Sequence, residues 1–243
     1  MTLSIITPDI RFPKRTQLYD LPAIEKNHAF AIFGASRDRS LVNLNASQPN
    51  GVVVGEVAFT EEGALVLGNA NAIRFELLRA PGSAGCTILV SLKTRQAIGD
   101  AGFASLWSMS QLNADSLARR IYSVIDTGVT TFNSVPGVTS AASGRVMTAS
   151  TEYLLSLTRA AKGTPSRLRV HNPDGSVATI HSIAEYAGSA LPYAADPVFD
   201  IGTASSAAQV GAYIKGAALY TGSMSESEIS SAAALLHELT HPA

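Results

Sequence analysis

The sequence is short of charge, sulfur and tryptophan, and each shortage excludes something. Asp, Glu, Lys and Arg make up 15% of the 243 residues, against roughly a quarter in an ordinary soluble domain. The 18 basic and 19 acidic side chains nearly cancel, leaving a formal net charge of −1. With no basic excess there is no electrostatic footprint for a phosphate backbone, so nucleic acid is excluded as a general partner. The single cysteine, Cys86, rules out an internal disulfide framework and zinc ribbons. No apolar run reaches the roughly 18 residues that a helical membrane span needs. The opening Met1-Thr2-Leu3-Ser4-Ile5-Ile6-Thr7-Pro8-Asp9 has no basic stretch ahead of a long apolar one, so no secretion signal is predicted. Apolar residues still reach 46%, enough for a sizeable core and too many for a disordered chain. The surface is therefore made largely of Ala, Ser, Thr, Asn and Gly. Such a skin suits a protein packed against neighbours.

Residues 1–40 read as an extended arm or attachment segment, and residues 41–243 as one domain. Pro8, Pro13 and Pro22 interrupt any helix in the arm, and Asp9-Ile10-Arg11-Phe12-Pro13-Lys14-Arg15 offers a short extended piece. Ala29-Phe30-Ala31-Ile32-Phe33-Gly34 suits one strand, and Arg37-Asp38-Arg39 a solvated loop. From Leu41 the texture changes to short β segments separated by Gly and Asn turns. Segments 52–54, 57–59, 64–68, 73–78, 86–92, 103–109, 120–125 and 153–158 fit strands. Several of them alternate apolar and polar residues. Two alternating runs flank Asn172-Pro173-Asp174-Gly175, whose proline and glycine suit a tight hairpin turn. Only the end looks helical: Ser225 stands three residues before Glu228, the spacing of a capping box, and an Ala-rich stretch runs on to Leu239. Many strands and few helices predict an all-β sandwich.

The segment from Tyr213 through Lys215-Gly216, Tyr220 and Ser225 to Ile229 resembles the closing part of laminin-G-like (concanavalin A-like) jelly rolls. The resemblance implies a last core strand ending in a tyrosine, a short turn, and a helix on the sandwich edge. Ile214, Ala217, Leu219 and Met224 would then supply inward contacts. Leu155-Ser156-Leu157-Thr158 is similar to the family's central strand, and the segment from Leu168 to Val177 to its following hairpin. The similarity covers roughly residues 41–239. Two positions depart from the family pattern. Glu152-Tyr153 stands where a tryptophan-histidine pair is usual, and Lys215-Gly216 where an acidic pair is usual. The implied architecture is a two-sheet antiparallel jelly-roll sandwich with an extended N-terminal arm and a short C-terminal helix.

Five chemistries bear on this frame. His237-Glu238-Leu239-Thr240-His241 matches the H-E-x-x-H pattern of zinc peptidases, in which two imidazoles share a helix face and the glutamate acts as base. No downstream third ligand follows, and the spacing of His28, His171 and His181 proposes none, so a metal is rejected. No Gly-x-Ser-x-Gly elbow appears for acyl transfer. The Gly/polar loops at 68–71 and 137–140 lack the lysine of a phosphate loop. A glycosidase needs two carboxylates across a sugar cleft; jelly-roll hydrolases often carry them as Glu-x-Asp-x-x-Glu, and no such run exists. Glu61-Glu62 reads as a solvent-facing turn. Asp196 and Asp200 are too few for calcium.

Carbohydrate binding has one candidate loop, residues 185–196, in which Tyr186, Tyr193 and Asp196 combine ring faces with a hydroxyl partner. Trp107 reads as a core residue. The expectation is a non-enzymatic protein without cofactor, resembling bacteriophage structural components of tail, baseplate or capsid. Residues 1–40 would attach it to other virion proteins, and it would form a homo-oligomer. A lectin-like module binding a host surface glycan is the alternative.

Overall fold

Fifteen strands and two α-helices are laid out in the computed structural model, which describes residues 19–66, 71–78, 85–94, 104–111, 121–126, 129–134, 141–146, 150–159, 166–183, 197–202, 212–222 and 224–242. After a short 3-10 turn at Ile24–Lys26 come β1 (Asn27–Ile32), α1 (Arg37–Ser40), β2 (Val52–Val54), β3 (Val57–Thr60), β4 (Gly63–Val66) and β5 (Ala72–Glu76). Next follow β6 (Cys86–Thr94), β7 (Ala104–Gln111), β8 (Ile121–Asp126), β9 (Val129–Ser134) and β10 (Ala141–Val146). The chain continues with β11 (Glu152–Arg159), β12 (Ser166–His171), β13 (Val177–Ile183), β14 (Pro197–Gly202), β15 (Ala212–Thr221) and α2 (Glu226–Thr240). The first sheet has the order β13-β12-β11-β6-β15-β4-β3, with β1 sharing one side of β15 with β4; the second runs β10-β9-β8-β7-β14-β5-β2. Every pairing is antiparallel. The predicted fold class, a two-sheet antiparallel jelly-roll sandwich ending in a helix, is the one observed.

Strand alternation explains the core. Cys86, Ile88, Val90 and Leu92 of β6 point between the sheets, where they join Ile73 and Phe75 of β5 and Phe199 and Ile201 of β14. Leu89 points the other way, and with Phe30, Leu154, Ala218 and Tyr220 it is covered by Ala232, Ala233 and Leu236 of α2. The first sheet is thus buried on both faces, which is why β6 and the second half of β15 read as nearly unbroken buried runs. Each large apolar side chain so enclosed stabilises the fold by roughly 1.5–3 kcal/mol. In β15 the register skips at Lys215, between Ile214 and Gly216. That bulge lets Ile214 and Ala217 both face the core although three residues apart.

The helix is fixed at both ends. Ser225 Oγ accepts from the Glu228 backbone N–H at 3.2 Å while Glu228 Oε2 accepts from Ser225 N–H at 2.6 Å, the predicted capping box. Lys26 pairs with Glu228 at 2.7 Å. Close packing requires two glycines. A Cβ on Gly216 would stand 2.7 Å from Thr240 and 2.9 Å from Leu236 of α2, and one on Gly175 would meet Ser230 O at 2.1 Å. Gly175 also has φ +80°, so the predicted β12–β13 hairpin turn is seated on the helix. Met224, expected to face inward from the sandwich edge, is half-buried against this helix-side cluster.

The open side of β1 is sealed by asparagines. Asn43 Oδ1 accepts from Phe30 N–H at 3.1 Å, its Nδ2 donates to His28 O at 3.1 Å, and Asn45 Nδ2 donates to Asn27 O at 2.9 Å. Leu44 N–H adds a backbone bond to Phe30 O at 2.7 Å. These groups occupy an edge that would otherwise pair with another chain.

Of the strand expected over Ala29–Gly34, residues Ala29 to Ile32 lie in β1, and that strand belongs to the sandwich: it pairs with β15, and Phe30 is fully buried. The described chain from Leu21 onward is therefore part of the domain, since burial of Leu21 beside α2 ties it down. Arg37-Asp38-Arg39 lies in the short α1, N-capped by Ser36, not in an irregular loop. Strands β9, β10 and β14 were not foreseen. Residues 1–18, the remainder of the proposed arm, lie outside the described residues.

Candidate functional site

The outward face of the second sheet carries an arginine-carboxylate pair near its centre. Phe199 and Ile201 of β14 turn inward, so Asp200 between them turns outward; Ile73 and Phe75 place Arg74 on the same face. The two are directly cross-paired, and Arg74 Nε and Nη2 donate to the two Asp200 carboxylate oxygens at 2.7 and 2.8 Å. Asp200 is 2% exposed and the Arg74 side chain 24%. The carboxylate is thus the inner partner, and the guanidinium is the part solvent reaches. Donation to Asp200 raises the arginine above its ordinary value, against the opposing effect of burial. Bidentate geometry leaves the Nη1 donors uncommitted to Asp200 and fixes the guanidinium plane.

Sheet register extends from this pair. Asp200 pairs with Ser108 of β7, Ser108 with Tyr122 of β8, and Tyr122 with Asn133 of β9. Val52 of β2, half exposed, pairs with Arg74 on the other side. The register therefore lines up Val52, Arg74, Asp200, Ser108, Tyr122 and Asn133 across six neighbouring strands. No spacing rule links these positions in the sequence, because they come from six strands, and there Asp200 reads only as a calcium candidate.

Tyr186, Tyr193 and Asp196 lie outside the described residues, although Asp196 immediately precedes Pro197, the first residue of β14. Trp107 stands in register with the inward-facing Ile201. Glu61 and Glu62 are exposed at the β3–β4 turn, and Glu62 pairs with Lys93 at 2.7 Å.

His237 and His241 close α2, with their rings stacked 4.2 Å apart and 16° from parallel. His241 Nε2 meets Glu152 at 2.7 Å, and Glu238 is exposed. Among the described residues no group of three or more His, Cys, Asp or Glu is placed to hold a metal ion. Lys215 reaches the other Glu152 oxygen at 2.8 Å. Burial pushes Glu152 up, but Lys215 and His241 outweigh it and hold the carboxyl below its ordinary range. The two departures from the family pattern, at 152 and 215, are therefore each other's partners.

His171 is buried on the opposite end of the same face, with Nδ1 2.9 Å from Gly175 O and Nε2 2.8 Å from Ser156 Oγ. Arg169, 2% exposed, holds Glu226 of α2 in a bidentate pair at 2.9 and 2.6 Å. Ser156 is fully buried, so this serine-histidine contact is packing rather than an accessible nucleophile. Among the described residues no helix is long and apolar enough to cross a membrane.

No protein-family model matches the sequence, and no curated protein matches it. Solved structures do share the fold. Domain 4 of AbnA, a GH43 extracellular arabinanase from Geobacillus stearothermophilus, solved in complex with arabinotriose, is similar with a TM-score of 0.57 at 14% identity; the match covers 86% of this chain and 98% of that one. The Trypanosoma rangeli sialidase is similar with a TM-score of 0.59 at 13% identity, over 88% of this chain and 33% of that one. The receptor-binding domain of botulinum neurotoxin C/D mosaic serotype gives 0.58 at 9% identity, over 88% and 51%. The chain thus spans about a third of the sialidase's length.

These likenesses show the fold, a jelly-roll β-sandwich present also in the sialidase, the arabinanase domain and the neurotoxin receptor-binding domain. They also correct the expectation of a non-enzymatic protein, because the fold occurs in a sialidase and in an arabinanase. The physical reason is that side chains meeting at one site come from separate strands, as Arg74 and Asp200 do. The absence of one compact carboxylate run does not bear on catalysis.

Proposed function

We propose that the chain is a glycan-recognising β-sandwich module that meets its ligand on the outward face of the second sheet. The observation that carries the reading is the Arg74–Asp200 pair in register with Ser108, Tyr122 and Asn133. Sugar recognition combines ring faces with a few fixed hydrogen-bonding groups. Arg74 is the contact residue, and Asp200 acts through it as a positioning residue. Tyr186, Tyr193 and Asp196, on the segment leading into β14, are the adjoining candidates. The setting is a virion, where the module is displayed for adsorption to a host surface glycan; the low-charge sequence supports it.

Glycan-array binding of the full chain tests the reading, with arabinan oligosaccharides and host polysaccharides among the probes. Binding is expected in the wild type and reduced at least tenfold in Arg74→Ala. A double Arg74→Gln/Asp200→Asn variant, which keeps polar groups at both positions, guards against misfolding and is expected to lose binding too. A folded double variant that binds at wild-type strength overturns the assignment of this face.

A further inference from the structure

The two margins on one side of the first sheet are treated differently. The edge of β1 is filled by Asn43 and Asn45, whereas among the described residues β3 pairs with β4 alone. All four β3 residues are half-buried. An edge strand left with unpaired N–H and C=O groups is a template for another strand, and proteins ordinarily block such an edge. Beside β3 lies a cleft of about 260 Å³, lined by Arg37, Val53, Glu56, Val57, Ala58 and Phe59. Small-molecule sites run to roughly 300–1,000 Å³. At the lower edge of that range, this cleft has room for one or two side chains of an added strand.

We infer that the free edge of β3 receives residues 9–15 of a second copy of this chain as an added strand. Asp9-Ile10-Arg11-Phe12 alternates apolar and charged residues and ends at Pro13, which biases its neighbour to extended backbone. Alternate residues of an added strand point to one side, so Ile10 and Phe12 both face the cleft. The 18 residues ahead of Tyr19 reach at most about 60 Å when extended, enough to cross to a neighbouring molecule. Charge complements the fit. Arg11, Lys14 and Arg15 outnumber Asp9 in the segment, while Glu56 and Glu61 flank β3, exposed and without an ion pair among the described residues. Glu62 is already taken by Lys93. Arg37 is the one cation lining the cleft.

Analytical ultracentrifugation of the full chain over a micromolar dilution series tests this. The wild type is expected to self-associate. An Arg11→Glu/Lys14→Glu/Arg15→Glu variant, untouched within the sandwich, is expected to be monomeric. So is Glu56→Lys/Glu61→Lys, whose sites are both exposed. Mixing the two variants should restore association, because each brings the reversed partner of the other. A monomeric wild type, reversed variants that still associate, or a mixture that stays monomeric each overturns the inference. None of these outcomes touches glycan binding, which rests on residues of the second sheet.

Discussion

The outward faces of the two sheets are built on opposite principles. On the first sheet, Phe30, Leu89, Leu154 and Ala218 lie under α2, and the few polar groups there are tied to the helix or its neighbours. On the second, the central outward pair is an arginine and an aspartate bonded to each other. An apolar face is cheap to bury and non-directional. A charged pair is costly to bury and contributes geometry more than stability. The first face is therefore read as a structural joint and the second as a surface that presents a defined hydrogen-bonding pattern.

Replacing Phe30 by Ala attacks the joint where it is most enclosed, since the ring is fully buried between β1 and α2. A loss of about 3–5 kcal/mol is expected from transfer and cavity terms together, read as a shift in the urea midpoint at unchanged m-value. A loss below about 1 kcal/mol would mean that α2 does not close this face. Asp200→Asn strikes the other face. It leaves Arg74 without its charged partner, but the side chain keeps 24% of its surface, so water offsets part of the loss. The expected destabilisation is about 1–3 kcal/mol, with glycan binding falling further than stability in proportion. Equal effects of both variants on binding would erase the distinction between joint and surface.

The sequence made the joint legible and hid the surface. β6, β11, the β12–β13 hairpin and α2 announce themselves because burial on both faces demands long apolar runs, and the hairpin and helix carry local turn and capping residues. Lys215 and Glu152 were seen only as departures from a family pattern; that they compensate each other is a tertiary fact across 63 positions. β14 begins with proline, contains Asp200 and ends with Gly202, all turn-like signals that pairing with β5 and β7 overrides. β9 and β10 are rich in Thr, Ser, Asn and Ala, with no run long enough to mark them. The Arg74–Asp200 contact spans 126 positions, beyond the reach of any spacing rule. Low charge was the one global clue, and it pointed to contacts rather than to a site.

The smallest effect separates the two faces by pH. His171 sits under the joint with Nδ1–H donating to Gly175 O, so its neutral form accepts at Nε2 from Ser156 O–H. Burial pushes its pKa below the ordinary 6.5, a backbone bond to Gly175 opposes this, Arg169 pushes it down further, and Glu226 opposes it. The folded state therefore binds a proton less readily than the unfolded one. This contribution is fully present above pH 6.5 and is lost as pH falls through the depressed folded value. Glu226 stays charged across that window, because Arg169 holds it below the usual carboxylate range. The second face carries no histidine in its described row and should be indifferent there. Stability curves between pH 7 and 5 are expected to decline with a slope of at most about 1.4 kcal/mol per pH unit from one proton. His171→Gln, which cannot titrate, should flatten that limb while Arg74→Gln/Asp200→Asn leaves it intact. An unchanged acid limb in His171→Gln would show that His171 does not carry the pH dependence.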